Sequence, residues 1–157
     1  MGQTATFSVA ATGTAPLQYQ WRKNDVNISG ATNSSYTTPP TVAADNGSVF
    51  SVIVSNSGGS VTSNNATLTV RIPPTITTQP ANKTVNVGQT AKFTVMATGT
   101  TPLHYQWMKN GMSITGATKA SYTTPPTTAA DNGAVFTVTV SNVAGSVTSN
   151  NAILTVH

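Results

Sequence analysis

Residues 2–70 recur without a gap as residues 88–156, at an offset of 86, and about 50 of the 69 aligned positions are identical. Gly2-Gln3-Thr4-Ala5 returns as Gly88-Gln89-Thr90-Ala91, Tyr19-Gln20-Trp21 as Tyr105-Gln106-Trp107, and Tyr36 to Pro40 as Tyr122 to Pro126. Two copies of one sequence call for one fold used twice. A unit of this length is too long for a solenoid turn and right for a small self-sufficient domain. The expected organisation is a domain over residues 1–70, a short linker over 71–74 and a second domain over 75–157.

Within each copy the apolar period is two. Ala5, Phe7 and Val9 alternate with Thr6 and Ser8, while Leu17, Tyr19 and Trp21 alternate with Gln18, Gln20 and Arg22. Phe50, Val52 and Val54 alternate with Ser51, Ile53 and Ser55, and Ala66, Leu68 and Val70 with Thr67 and Thr69. Turn signals separate the runs: Thr12-Gly13, Asn24-Asp25 (Asn110-Gly111 in the later copy), Ser29-Gly30, Asn46-Gly47 and Gly58-Gly59. Short alternating strands with no helical stretch predict an all-β chain of two sandwiches. By strand parity, the ring-bearing side chains of both copies point inward.

Trp21 follows Val9 by 12 residues, and Trp107 follows Val95 by the same interval. Asp45 and Gly47 stand before Phe50-Ser51-Val52, as Asp131 and Gly133 stand before Phe136-Thr137-Val138; Asn56 and Asn142 then close those strands. On these residues each copy resembles the bacterial immunoglobulin-like repeats of the I-set type, in a cysteine-free form. The resemblance covers essentially the whole chain. It implies a structural core built on Trp21, Trp107, Val9, Val52, Val95 and Val138, and a structural corner at Asp45, Gly47, Asp131 and Gly133. The Val pairs occupy positions that antibody-type relatives join by a disulfide. Such a bond is worth about 2–5 kcal/mol, and two Val side chains buried at about 1.5–3 kcal/mol each offset it in order of magnitude. Phe50 and Phe136 take the place of the family's corner tyrosine, and one extra residue between Asp and ring implies a bulge or a looser corner.

The later copy is preceded by Pro73 to Val87, which reads as the two opening strands A and A′; the first copy has no such segment. The first sandwich is therefore expected to lack these strands and to leave an edge open, where self-association through strand pairing is expected. The linker, Arg71 to Pro74, is stiffened by two prolines, and an end-to-end rod is expected. Met1 leads straight into a strand-like segment, as at the start of a fragment, and His157 reads as the opening of an added tag.

Only 6% of residues are charged, and the three acids are Asp25, Asp45 and Asp131. Ser and Thr make up about 30% of the chain, a composition common on secreted proteins. The net charge of +4 reflects missing acids, because the seven basic residues are scattered, and a nucleic-acid footprint needs them clustered. There is no cysteine, no cluster of His or acids for a metal, and no apolar run long enough to insert in a membrane. No enzyme activity and no cofactor are expected. Glycoside hydrolysis normally uses two carboxylates and a serine triad a histidine. The corner aspartates read as backbone caps, Asp25 as a turn former, and His104 as a solvated replacement of Gln18. Lys23 and Lys109 also read as solvated.

The expected role is that of a non-catalytic spacer or adhesion module of a larger secreted or cell-surface protein, with other surface proteins as partners. The alternative is a carbohydrate-binding accessory module of an extracellular polysaccharide-acting enzyme. A polar face at Gln18, Gln20 and Arg22 is the candidate contact surface for that role.

Overall fold

The computed structural model describes residues 2–157. The chain divides into two compact units, Met1–Arg71 and Ile72–His157. In the first, β1 (Thr6–Ser8) pairs antiparallel with β4 (Ser35–Thr37) to make one layer. The other layer runs β3 (Val26–Asn27), β2 (Gln18–Lys23), β5 (Val49–Asn56), β6 (Gly59–Thr62), with β7 (Ala66–Thr67) also on β5.

The second unit opens with β8 (Thr75–Thr78) and β9 (Lys83–Val85), and then repeats the scheme. Its strands β10 (Lys92–Thr94) and β14 (Ser121–Thr123) match β1 and β4; β11 (Met96–Thr98) continues from β10 and pairs with β8. Next come β12 (His104–Lys109) and β13 (Met112–Ser113), then β15 (Val135–Asn142), β16 (Gly145–Thr148) and β17 (Ala152–Val156). The large sheet is ordered β13-β12-β15-β17-β9, with β9 parallel to β17.

Local chemistry sets the turns. Asn24 and Asp25 both have positive φ (48° and 65°), as do Asn110 and Gly111 (49° and 79°), the twist required of a two-residue hairpin turn. The Asn24 and Asn110 side chains then accept the Val49 and Val135 N–H groups. Each unit also carries one short 3₁₀ turn, Ala43–Asp45 or Ala129–Asp131, where no helix was expected. The extra residue of the corner is absorbed immediately afterwards. Asn46 (φ −63°, ψ 128°) and Gly47 (φ 82°) form a type II turn closed by Ser48 N–H to Asp45 O at 3.0 Å. Gly47 is needed there because a side chain resists that φ.

The two layers meet through rings. Phe7 stacks on Phe50 at 4.4 Å between centroids, and Trp21 lies 6.2 Å from Phe7 and 6.4 Å from Tyr36; the second unit repeats all three contacts to within 0.1 Å. Parity holds for these side chains but fails at Ser51, which is buried between Phe50 and Val52.

The units differ where β8 and β9 lie. Ala91, Phe93 and Val95 are buried, whereas Ala5, Phe7 and Val9 are only half-buried. Ala152 is buried and Ala66 exposed, and β17 spans five residues where β7 spans two. Among the described residues, no strand precedes β1 in the first unit. Ile72, placed in the linker from sequence, is bonded into the second unit. Its N–H donates to Thr100 Oγ1 at 2.8 Å, and its carbonyl accepts from the Thr100 N–H and from Asn142 Nδ2. His157, read as the start of a tag, is a ladder residue whose N–H donates to Val85 O and whose carbonyl accepts from the Val87 N–H.

Candidate functional site

Trp21 and Trp107 are buried, on β2 and β12, opposite Val52 and Val138 on β5 and β15. An indole N–H in a core needs an acceptor. Trp21 Nε1 finds Asn33 O at 3.0 Å, and Trp107 Nε1 finds Lys119 O at 2.9 Å. Val52, Val95 and Val138 are buried in the same clusters, while Val9 packs at the margin of its own.

At each corner an aspartate ties β2 or β12 to the start of its own 3₁₀ turn. Asp45 accepts the Val42 N–H at 2.8 Å on one oxygen and the Lys23 ammonium at 2.6 Å on the other. Asp131 does the same with Thr128 and Lys109, and takes the Thr128 hydroxyl at 2.9 Å besides. Lys23 and Lys109, expected to be solvated, are thus ion-paired, though each remains about two-fifths exposed. The Lys109 hydrogen bond, followed by the backbone and hydroxyl bonds of Thr128, lowers the Asp131 carboxyl to about 2. Lys23, then the Val42 N–H, lowers that of Asp45. An acid held ionised in this way is a poor proton donor at neutral pH. The neighbouring Asn46 and Asn132 accept the Val70 and Val156 N–H groups.

Of the expected polar face, Gln18 and Gln20 line one recess of about 420 Å³, and Arg22 is not among its lining residues. Gln18 is exposed, but Gln20 turns its amide back onto the carbonyls of Trp21 and Ile28 at 2.9 and 2.8 Å. Gln106 repeats this on Trp107 and Ile114. Arg22 reaches along its own hairpin to the Asp25 carbonyl and stands 3.7 Å from the Asp25 carboxylate. Parity placed these side chains on the outer face; it could not say that two of them bond back to their own hairpin. His104, as expected, is exposed.

A recess of about 220 Å³ in the second unit is walled by Ile114, Tyr122 and Leu154, with Lys109 and Asp131 among its lining residues. Its counterpart in the first, beside Ile28, Tyr36, Leu68, Lys23 and Asp45, measures about 380 Å³. Among the described residues, no three His, Asp or Glu side chains gather where a metal could bind.

Residues 73–142 match the family model of the immunoglobulin domain. An I-band fragment of titin superposes with a TM-score of 0.81 at 22% identity, over 99% of this chain and 60% of that one. The fold is immunoglobulin-like. Sidekick-1 immunoglobulin domains 1–4 superpose at 0.67 and 21% identity, over 99% of this chain and 43% of theirs. In sequence, the immunoglobulin-like chain is 31% identical to the tyrosine-protein phosphatase Lar of Drosophila melanogaster, over 73% of this chain and 6% of Lar. It is 32% identical to the muscle M-line assembly protein unc-89 of Caenorhabditis elegans, over 97% of this chain and 2% of that protein. The chain thus spans a small fraction of each relative's length. Both are animal proteins, and they lend no support to the bacterial source expected from sequence.

Proposed function

We propose that this chain is a non-catalytic structural or adhesion module of a larger protein at a cell surface or outside the cell, with other surface proteins as its partners. One observation carries the reading. Three pairs of polar side chains that could do chemistry are bonded to the units' own backbone, in the same way in both copies. Gln20 and Gln106 hold a hairpin, Asp45 and Asp131 a corner, Asn46 and Asn132 the last strand. Residues committed to the same internal bonds twice serve the fold. The Ser- and Thr-rich, charge-poor composition favours the secreted setting, and a bacterial source rests on the sequence resemblance alone. The assembly role named for unc-89 is in keeping with such a module.

The experiment is a co-sedimentation of the purified chain with insoluble polysaccharides, beside a binding screen against immobilised surface proteins. The chain is expected to stay in the supernatant with the polysaccharides. Sedimentation that Gln18→Ala abolishes without unfolding the protein would overturn this reading in favour of a carbohydrate-binding module.

A further inference from the structure

Asparagine is followed by glycine at Asn46-Gly47, Asn110-Gly111 and Asn132-Gly133, and all three asparagines are exposed. Such a pair can react with itself. The glycine nitrogen attacks the asparagine side-chain carbonyl, with no Cβ on the glycine to obstruct it. The five-membered ring that forms contains the asparagine Cα–C bond, so the glycine nitrogen must eclipse Cβ. For an L residue this sets ψ at about −120°, the value at the first central residue of a type II′ turn.

The fold separates the three pairs. Asn46 and Asn132 stand at φ −63°, with ψ of 128° and 130°. The Gly47 and Gly133 N–H groups donate to Leu68 O and Leu154 O at 2.8 and 2.9 Å. Bringing either nitrogen onto its side chain swings ψ by roughly 110° and breaks that bond. Asn110 instead opens the turn between β12 and β13 with φ already at 49°, and the Gly111 N–H has no acceptor among the described residues. A flip of the peptide between them converts a type I′ turn to II′. Hairpins use both, and glycine accepts either sign of φ. Asn24 has the same setting, but its neighbour is Asp25, whose Cβ crowds the attacking nitrogen. Oδ1 of Asn46, Asn110 and Asn132 each accepts a backbone N–H, so polarisation of the side-chain carbonyl does not rank them.

We propose that Asn110 is a site of self-modification in the folded chain, losing ammonia to form a succinimide with Gly111 that water then opens. The Gly111 nitrogen bonds to Asn110 Cγ, the Cγ–Nδ2 bond breaks, and Nδ2 leaves as ammonia with the proton given up by the Gly111 nitrogen. Water opening the ring at Cγ leaves aspartate. Opening at the backbone carbonyl leaves isoaspartate, whose main chain runs through Cβ and Cγ and lengthens the two-residue turn by one carbon. Either product sets a carboxylate beside Lys109 where the chain had a neutral amide. The inference goes beyond the module reading.

The test incubates the intact chain at mildly alkaline pH in heavy-oxygen water and follows each Asn-Gly pair by peptide mass. In the folded chain, conversion at Asn110 is expected to outpace that at Asn46 and Asn132 by about tenfold or more, because those two must open locally first. In concentrated urea the three are expected to react at similar rates. Gly111→Ala is expected to slow conversion at Asn110 by about tenfold or more, since a Cβ both obstructs the nitrogen and resists the turn. Asp25→Gly is a gain-of-reaction variant that keeps the turn, because glycine accepts the φ of 65° that Asp25 has. It is expected to make Asn24 react as fast as Asn110. Equal rates at the three pairs in the folded chain, the same ranking in urea, or an inert Asn24 in Asp25→Gly would each overturn the proposal.

Discussion

Asp131 and Lys109 lie 22 positions apart, and nothing in the sequence near either announces the other. Their pairing carries a pH signature. The folded carboxyl titrates at about 2 against an ordinary 3.8, so its contribution to stability is fully present above 3.8 and fades as pH falls towards 2. The urea midpoint of the second unit is expected to drop across that window, and Asp131→Asn is expected to flatten the drop. An unchanged slope in the variant would mean that the pair contributes nothing. Because the pair stays partly exposed, salt should weaken it. At this scale the sequence made the ring positions legible, since alternation alone sends Phe7, Trp21 and Phe50 inward. It did not make legible where a long polar side chain ends. Gln20 and Arg22 have the parity of surface residues, yet an amide or guanidinium can fold back onto its own hairpin.

Elements were legible where their partners are close in the chain. β2 and β5 fall on the alternating runs, and the hairpin turns fall at Asn24-Asp25 and Asn110-Gly111. The corner is less transparent, because its type II turn depends on a bond from Ser48 to Asp45 that also absorbs the extra residue. The length of β7 was hidden altogether. Ala66 to Val70 and Ala152 to Val156 differ at a single position, and only the distant β9 makes the second copy a five-residue strand. The seat of β8 can be tested through glycine. A Cβ on Gly99 would lie 3.0 Å from Pro73 O and Pro74 Cα, whereas one on Gly13 would meet only the side chains of Asn56 and Leu17, at 3.2 and 3.4 Å. Both positions have positive φ, so the backbone strain cancels in the comparison. Gly99→Ala should therefore destabilise its unit by about 1–3 kcal/mol more than Gly13→Ala does. Denaturation of the two variants measures the difference, and equal losses would mean that β8 is not seated there.

For the molecule as a whole, the repeat foretold two immunoglobulin-like units, and the segment ahead of the second copy foretold the strands β8 and β9 that this unit adds. The second buries Pro74 and Pro80 and packs Ile76 and Val85 on a core that in the first is partly wet. Even a few side chains at about 1.5–3 kcal/mol each make a large share of a small domain's net stability. Chemical denaturation followed at residues of each unit should resolve two transitions, the first unit melting at the lower denaturant concentration. A single coincident transition would contradict this. The parallel pairing of β9 with β17 has a mechanical corollary. Tension applied across the second unit is directed along that pair, so its hydrogen bonds are sheared together and share the load. The first unit has no such pair among its described residues and must give way bond after bond. Stretched in an optical trap, the chain should lengthen in two steps, with the early, low-force step belonging to residues 2–71.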